Sequence, residues 1–220
     1  MELVSHRTED FGYLVIRNLY SSEELKCIWD EIFHLDHILD NKSLQVNSID
    51  ENTNTKQYHE DFAAGGKDGI QSFTGEGVVL DYLYHKREYS SILRINRKLF
   101  SSPITEVFSN IHPSNLPYSA TTLDKTLLNR YEDSQGYSAH KDTASFSSIT
   151  TLLHKPENIK GGDVHFVDYD VTFKNEHNRC VIFPSWVTHQ ADLIKSTNGA
   201  KRYSMSMFSY MTDYQSTKEE

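Results

Sequence analysis

The apolar and polar positions divide the chain into a helical first part and a β-rich second part. Residues 12–20 read GYLVIRNLY, an apolar and β-branched run that is typical of a strand. Ser21 and Glu24 then have the spacing of a capping box, which marks a helix start. Apolar residues recur behind them at helical intervals and predict a helix to about Leu39: Leu25, Ile28, Trp29, Ile32 and Phe33.

Residues 41–77 form a polar segment with little periodicity. A stretch of this length without clear structure inside a compact domain is typical of either a functional lid or a surface loop, and both interpretations stand. The segment carries side chains that would suit a substrate lid: Tyr58, His59, Phe62 and Phe73.

The pattern is helical again over residues 78–100, and Pro103 suits the first turn of a further short helix. From residue 117 the pattern changes to short runs rich in threonine, valine, isoleucine and aromatic residues. These runs are TLLNRY, SSITTLL, DVHFVDY, RCVIFP and RYSMSMFSYM. Their spacing predicts an antiparallel sandwich or barrel that follows the helices.

Length and composition are those of one soluble globular domain. The chain has 220 residues, of which 24% are charged and 37% hydrophobic. The net charge of −9 disfavours nucleic acid as a partner, and two cysteines make neither a disulfide framework nor a thiolate zinc site. No signal-peptide run or membrane-span window is evident, so we expect no membrane association and a cytoplasmic location.

Three His-x-Asp triplets occur, although about one is expected by chance in a chain with this many histidines and aspartates. His34 and Asp36 lie in the first predicted helix, where residues two apart point to nearly opposite sides. His59 and Asp61 lie in the polar segment, with no neighbouring strand to fix their geometry. Neither pair is therefore expected to hold a metal ion.

His140 and Asp142 are the pair with suitable geometry. They lie in YSAHKDTASF, which reads as an extended segment, so both side chains emerge on the same face. His189 follows the apolar run at residues 181–184 and is the third candidate ligand, unless backbone groups merely satisfy its nitrogens. Two imidazoles and one carboxylate suit non-haem iron(II). Other histidines have weaker contexts: His154, His165 and His177.

The β-rich half, residues 124–210, resembles the double-stranded β-helix oxygenases that use iron(II) and 2-oxoglutarate, most nearly their prolyl-4-hydroxylase-like branch. The matching pieces occur in the family's order: NRY at 129–131, Tyr137, HKD at 140–142, residues 149–153, GGDVHF at 161–166, VIFPS at 181–185, His189, and RYS at 202–204. The opening GYLVIRNLYSSEEL resembles the strand-then-helix entry of many such enzymes.

The resemblance implies an α+β fold, in which a double-stranded β-helix (jelly-roll) core carries an N-terminal strand and packing helices. It implies one oxygenase domain over residues 1–220. Residues 1–116 would form its helical N-terminal part, with the polar loop at 41–77, and residues 117–215 its β-rich catalytic core.

The resemblance also makes His140, Asp142 and His189 the iron ligands and Arg202 the partner of the distal carboxylate of 2-oxoglutarate. A planar guanidinium can bind that carboxylate through two parallel hydrogen bonds. The alternative for Arg202 is a surface ion pair. The neighbouring Lys201 would be the anchor if the register shifted by one.

Three further residues are candidates for contacts with 2-oxoglutarate. Ser204 lies two residues beyond Arg202 on the same strand face. Tyr131 occupies a position where the family often places a tyrosine hydroxyl on the co-substrate, although plain packing is the alternative. Thr151 is a candidate from the facing strand.

Two departures from the family pattern bear on these assignments. Residues 195–200, KSTNGA, lengthen the step between His189 and Arg202, which indicates a longer hairpin loop. Residues 152–154 read LLH, where prolyl hydroxylases often have tyrosine, leucine and asparagine. The second departure weakens the expectation of a prolyl substrate.

The implied activity is hydroxylation with iron(II), 2-oxoglutarate and O2. Asp142 favours hydroxylation over halogenation, because related halogenases give up the carboxylate ligand. Nucleic-acid demethylases of the superfamily carry a second arginine where this chain has Phe208, so we expect a protein side chain, prolyl or other, or a free small molecule as substrate. A non-redox, cupin-like metal-binding module is the alternative, but it gives no role to Arg202 and Tyr131 together.

Overall fold

A computed structural model describes residues 1–40, 63–64, 73 and 75–211. The helices of this part are α1 (Ser22–Asp40), α2 (Leu80–Leu83), α3 (Ser91–Asn96) and α4 (Ser102–Ile111). Shorter 3-10 turns occupy Arg87–Tyr89, Arg97–Phe100, Pro113–Ala120, Pro156–Asn158 and Val167–Tyr169.

Antiparallel strands make up most of the fold. They are β1 (Glu2–Arg7), β2 (Gly12–Arg17), β3 (Ala63–Ala64), β4 (Glu76–Val79), β5 (Leu123–Tyr131), β6 (Tyr137–Asp142), β7 (Phe146–His154), β8 (Ile159–Gly161), β9 (Val164–Phe166), β10 (Val171–Phe173), β11 (Arg179–Pro184), β12 (His189–Ala191), β13 (Ile194–Ser196) and β14 (Lys201–Tyr210). The larger sheet has the order β1-β2-β11-β7-β14-β5-β4, and the smaller has β10-β9-β12-β6-β3. The predicted α+β fold with a double-stranded β-helix core is confirmed.

Helix α1 begins where the capping box predicts. The backbone N–H of Ser21 donates to the Glu24 carboxylate at 2.8 Å, and the backbone N–H of Glu24 donates to Ser21 Oγ at 3.2 Å. Two N–H groups that the helix itself leaves without partners are thereby satisfied. The buried face of the helix is formed by Ile28, Ile32, Leu35 and Leu39. The predicted helix to about Leu39 is confirmed.

Two apolar cores flank the larger sheet. One lies on the helix side, where apolar residues of α1 and α4 pack with Leu128, Tyr203 and Met205. The other is rich in aromatic rings and contains Phe11, Tyr13, Phe166, Phe173 and Phe183. Burial of a large apolar side chain contributes about 1.5–3 kcal/mol, so both cores hold the sheet rigidly in place.

The continuous helix predicted over residues 78–100 is wrong. Val78 and Val79 end strand β4, where they pair with Leu128 and Leu127 of β5, because β-branched residues suit a half-buried sheet position. Helical structure then comes in short pieces. Ser90 starts one of them, since its backbone is extended and its Oγ accepts the N–H of Leu93 as an N-cap.

The helix predicted after Pro103 is confirmed as α4, and the β-rich pattern from residue 117 is confirmed as strands β5 to β14. The longer loop at 195–200 is not a simple hairpin, because β13 pairs with β8 rather than with β14. Within the described ranges, no helix is long and apolar enough to cross a membrane.

Candidate metal and 2-oxoglutarate site

Two neighbouring strands of the smaller sheet bring three candidate ligands together. His140 and Asp142 lie two apart on β6, and His189 is paired directly opposite His140 on β12. One ligand atom from each residue lies within 4.8 Å of the others, and all three side chains are buried. A two-residue step along a strand keeps side chains on one face, so the sequence spacing and the pairing register both favour this cluster.

Both imidazoles are held in the orientation that a metal requires. The Nδ1–H of His140 donates to the carbonyl of Ser138 at 2.8 Å, and that of His189 donates to the carbonyl of Val187 at 3.0 Å. Because a carbonyl oxygen only accepts, the proton is on Nδ1 and the lone pair on Nε2. Each Nε2 lies 3.6 Å from an oxygen of the Asp142 carboxylate.

The Asp142 carboxylate is fixed from behind by hydroxyl groups. Ser147 Oγ–H donates to its Oδ2 at 2.5 Å, and Ser185 Oγ lies 2.6 Å from Ser147 Oγ. Burial raises the pKa of Asp142 above its ordinary value, since desolvation disfavours the carboxylate. A divalent cation between Asp142 and the two Nε2 atoms would stabilise the carboxylate and so offset the cost of its desolvation. This donor set fits iron(II).

Among the described residues, the other histidines lie apart from this cluster. His34 is exposed, and Asp36 instead accepts a hydrogen bond from the hydroxyl of Tyr203 at 3.0 Å. His165 contacts Asp192 at 2.6 Å. His154 and His177 pack near the ring of Trp29, and His59 and Asp61 lie outside the described residues.

The cluster lies in a cavity that residues of both sheets line. Its wall includes the three candidate ligands together with Leu127, Asn129, Tyr131, Tyr137, Ile149, Val164, Gln190, Ala191, Arg202, Ser204, Ser206 and Phe208. Seven of these fifteen residues alternate along strands β5 and β14, so one face of each of these strands supplies part of the wall. The cavity therefore joins the candidate metal ligands to the candidate carboxylate anchor.

Arg202 is a buried cation in this cavity. Its exposed fraction is 1%, and the structure shows no carboxylate in an ion pair with it in the described part of the chain. Its Nε donates to Asn175 Oδ1 at 3.2 Å, and its Cζ lies 4.9 Å from the centre of the Tyr131 ring. Burial lowers the pKa of Arg202 from its ordinary value. A buried guanidinium without a counter-ion is costly, and a bound anion would offset that cost.

Lys201 points away from the cavity. Its Nζ lies 3.3 Å from Asp36 and 3.6 Å from Glu132, on the side of the sheet that faces α1. Strand alternation places Lys201 and Arg202 on opposite faces of β14, and of these two residues only Arg202 lines the cavity.

The structure also places the other candidate residues. Tyr131 is paired with Arg202 across β5 and β14, and both Tyr131 and Ser204 are buried in the cavity wall. Thr151 is paired with Ser204 on β7, but it is not among the residues that line the cavity. The pKa of Tyr131 is raised by burial, so its hydroxyl stays protonated and able to donate.

Three further residues adjoin the site: Tyr137 and Asn129, which match the family motifs without an assigned role, and the lid candidate Phe73. The ring of Tyr137 stacks on His140 with centroids 3.7 Å apart, and Phe73 packs on Tyr137 and Tyr131. Asn129 lines the cavity two residues before Tyr131, so strand alternation is a signal that could have found it. Of the proposed lid residues, Phe73 is described, and Tyr58, His59 and Phe62 lie outside the described residues.

Comparison with known proteins gives one family model and many solved structures of similar fold. The model of the 2OG-Fe(II) oxygenase superfamily matches residues 126–210. A prolyl-4-hydroxylase from Pseudomonas putida is similar in structure, with a TM-score of 0.58, 10% identity, and coverage of 92% of this chain and 94% of that one. No curated protein matches the chain in sequence.

Two further structures are similar at the level of the fold. A Trichoplax adhaerens prolyl hydroxylase, in complex with a fragment of hypoxia inducible factor, has a TM-score of 0.51 at 11% identity, covering 90% of this chain and 83% of that chain. A prolyl 4-hydroxylase from Phytophthora capsici has a TM-score of 0.52 at 17% identity, covering 93% of this chain and 60% of that chain.

Residues 126–210 thus match the 2OG-Fe(II) oxygenase superfamily, and the fold of the chain is similar to that of the prolyl-4-hydroxylase-like structures. The resemblance inferred from the ordered sequence motifs is thereby confirmed. The family requires iron(II), 2-oxoglutarate and O2, and the buried His-Asp-His donor set fits the metal.

Proposed function

We propose that the chain is one oxygenase domain that hydroxylates an aliphatic C–H bond of a protein side chain, prolyl or other, with iron(II) held by His140, Asp142 and His189. Arg202 would bind the distal carboxylate of 2-oxoglutarate. The observation that carries this proposal is that Arg202 is buried in the same cavity as the three candidate ligands and forms no ion pair with a carboxylate of the described residues.

Electrostatics favour an anionic co-substrate at Arg202. Removing a guanidinium from water costs several kcal/mol unless a partner compensates for the loss. Among the described residues no carboxylate forms an ion pair with Arg202, and Asp163 acts on it only at longer range. A carboxylate that accepts two hydrogen bonds from the guanidinium would compensate for the loss. A cupin-like module without redox chemistry would need the metal ligands alone, so it leaves Arg202 unexplained.

The cavity has a polar end and an apolar end. Arg202 and Ser204 lie near the start of β14, whereas Phe208 lies further along the same strand, paired with Ser147. Ser147 in turn donates to Asp142, which places Phe208 on the metal side of the cavity. The ring of Phe208 packs with Leu127, so the surface beside the metal ligands is apolar there. An uncharged aliphatic group would suit it.

Support for a protein substrate comes from the fold neighbours. The Trichoplax adhaerens enzyme is a prolyl hydroxylase in complex with a peptide, and the Pseudomonas putida protein is a prolyl-4-hydroxylase. Phe208 and the net charge of −9 both disfavour a phosphate-bearing nucleic acid.

The bound groups and the protein would contribute different parts of the reaction. Iron(II) with 2-oxoglutarate and O2 supplies the oxidising power that the protein's own side chains lack. The chain contributes orientation, because Nδ1–H bonds fix both imidazoles and Ser147 fixes Asp142. Burial of Arg202 strengthens its attraction to a carboxylate, because the surroundings screen the charge less than water does.

The decisive experiment compares Arg202→Ala with Lys201→Ala. Protein, iron(II) and 2-oxoglutarate are mixed without oxygen, and the charge-transfer absorption of the metal chelate is titrated. We expect Arg202→Ala to weaken 2-oxoglutarate binding by about 10- to 100-fold, the range for loss of a charge-assisted hydrogen-bonding partner. Lys201→Ala, on the other face of β14, should bind as the unchanged protein does.

Iron binding and turnover complete the test. Iron(II) affinity should stay within about threefold in both variants, because neither residue contacts the ligands. Succinate should form when oxygen is admitted to the unchanged protein, and candidate peptides that stimulate it would identify the substrate. Absence of both the absorption band and succinate would contradict the proposal, as would an equal loss of iron and 2-oxoglutarate binding in Arg202→Ala.

A further inference from the structure

Asn175 connects the buried Arg202 to a loop of the smaller sheet. It follows β10, and its Oδ1 accepts the Nε–H of Arg202 at 3.2 Å. Its Nδ2 donates to the carbonyl of Gly161 at 2.9 Å, and its backbone N–H donates to Asp163 Oδ1 at 2.9 Å. The amide cannot rotate by half a turn without losing both side-chain bonds, so its oxygen stays on Arg202.

The nearby acidic residue is occupied elsewhere. Asp163 accepts from the backbone of Asn175 through Oδ1 and from Lys174 Nζ through Oδ2 at 2.8 Å. Lys174 and these hydrogen bonds hold the pKa of Asp163 below its ordinary value, so it remains a carboxylate that is already paired. Arg202 Nε therefore donates to a neutral amide, while Asp163 pairs directly with Lys174 and acts on Arg202 only at longer range.

The backbone is shaped to let this contact form. Gly162 has a φ of +74°, and a Cβ at this position would lie 2.9 Å from Asn175 Nδ2 and 3.3 Å from Arg202 Cδ. A side chain at 162 would thus be both strained and too close to the pair. The loop packs directly against the stem and the Nε edge of the arginine.

We infer that Asn175 is a positioning residue for the co-substrate: it occupies Nε of Arg202 with a neutral acceptor and leaves the guanidinium's charge for a carboxylate bound through the terminal nitrogens. This inference rests on the proposed function. A carboxylate can bind a guanidinium through Nε and one terminal nitrogen or through both terminal nitrogens. Because Asn175 already occupies Nε, we expect the distal carboxylate of 2-oxoglutarate to bind through both terminal nitrogens.

The neutrality of residue 175 is the feature that matters. Aspartate has nearly the same shape as asparagine, but it would place a permanent counter-ion on Arg202. The charge that would attract 2-oxoglutarate would then be compensated within the protein. We therefore expect the carboxylate introduced by Asn175→Asp to compete with 2-oxoglutarate for the guanidinium of Arg202.

The test is the affinity of Asn175→Asp for two 2-oxo acids, measured anaerobically with iron(II) by the absorption of the chelate. Affinity for 2-oxoglutarate should fall by at least about tenfold, in line with the loss of a charge-assisted pair. Affinity for pyruvate, which presents the same 2-oxo acid group without a second carboxylate, should change by less than about twofold.

Matched variants separate positioning from damage to the fold. Asn198→Asp adds the same charge on an exposed turn before β14, and it should leave both affinities unchanged. Asn175→Ala removes the acceptor without adding charge, and we expect a smaller loss for 2-oxoglutarate of about threefold. In an Arg202→Ala background, Asn175→Asp should have almost no further effect, since the two residues act through one contact.

The outcomes are distinguishable. Unchanged 2-oxoglutarate affinity in Asn175→Asp would overturn the inference and leave the proposed function intact. A parallel loss of 2-oxoglutarate, pyruvate and iron would show a structural role only and would also overturn it. Failure of the unchanged protein to bind 2-oxoglutarate would remove the proposed function itself, together with this inference.

Discussion

The two faces of strand β14 are both buried, yet they differ in chemistry. Towards the cavity the strand presents Arg202, Ser204, Ser206 and Phe208. Towards the helices it presents Tyr203, Met205 and Met207, which belong to the same core as Ile28 and Ile32 of α1. Burial alone therefore does not separate the site from the core. A polar buried face is the informative feature, because it costs stability unless a ligand uses it.

The comparison predicts opposite effects for substitutions on the two faces. On the helix face, a truncation should lower the free energy of unfolding without changing the affinity of the folded protein for its ligands. On the cavity face, truncation of a polar side chain should weaken ligand binding and leave the unfolding free energy nearly unchanged. Substitutions at neighbouring residues of β14 would thus affect either stability or ligand affinity, but not both.

The largest expected effect is on the helix face. Met205→Ala should lower the free energy of unfolding by about 3 kcal/mol, because truncation of a fully buried methionine removes apolar contacts and leaves a cavity. Urea denaturation measures this loss. Affinity for iron(II) and 2-oxoglutarate, measured well below the unfolding midpoint, should be unchanged. A clear loss of ligand affinity here would show that the two faces are not independent.

Behind the metal ligands, on β7, Ser147→Ala should weaken iron(II) binding by about tenfold, the lower end of the range for residues that orient metal ligands. The physical reason is that Asp142 loses the hydroxyl that fixes its Oδ2. Competition with a chelator measures the metal affinity. Ser148→Ala, one residue along β7 and on the other face of the strand, is the matched control and should bind iron as before. Equal losses in the two variants would contradict the orientation role.

The smallest expected effect is that of Tyr131→Phe. If the hydroxyl donates to 2-oxoglutarate, its removal should weaken binding by about threefold, the lower part of the range for a neutral hydrogen bond. The ring remains beside Arg202, so the unfolding free energy should change little. Isothermal titration at constant iron(II) resolves such a difference. Unchanged affinity would assign Tyr131 to packing alone.

Much of the architecture could be predicted from the sequence because it depends on local signals. Helix α1 begins at the capping box of Ser21 and Glu24, as the sequence predicts, and the short apolar runs from residue 117 are strands. The cluster of His140 and Asp142 could be predicted for the same reason, since two residues on one strand share a face.

Contacts between distant parts of the chain could not be predicted in this way. The local pattern at Val78 and Val79 predicts a helix, but pairing with β5 overrides it. Asn175 and Ser147 carry no sequence signal, because their roles depend on loops and strands that meet only in the fold. The choice between Lys201 and Arg202 likewise needed the register of β14, which places Asp36 on one face and the cavity on the other.

The pairing of His189 with His140 has a consequence for how faithfully the chain folds. Strand β12 is three residues long, and its pairing with β6 shifts register between His189 and Ala191. So short a strand specifies its own alignment weakly, and a slip by one residue would place Gln190 opposite His140 in place of His189. A bound metal stabilises only the alignment in which both imidazoles meet Asp142. Bound iron(II) would thus favour the native register of β12 over shifted pairings.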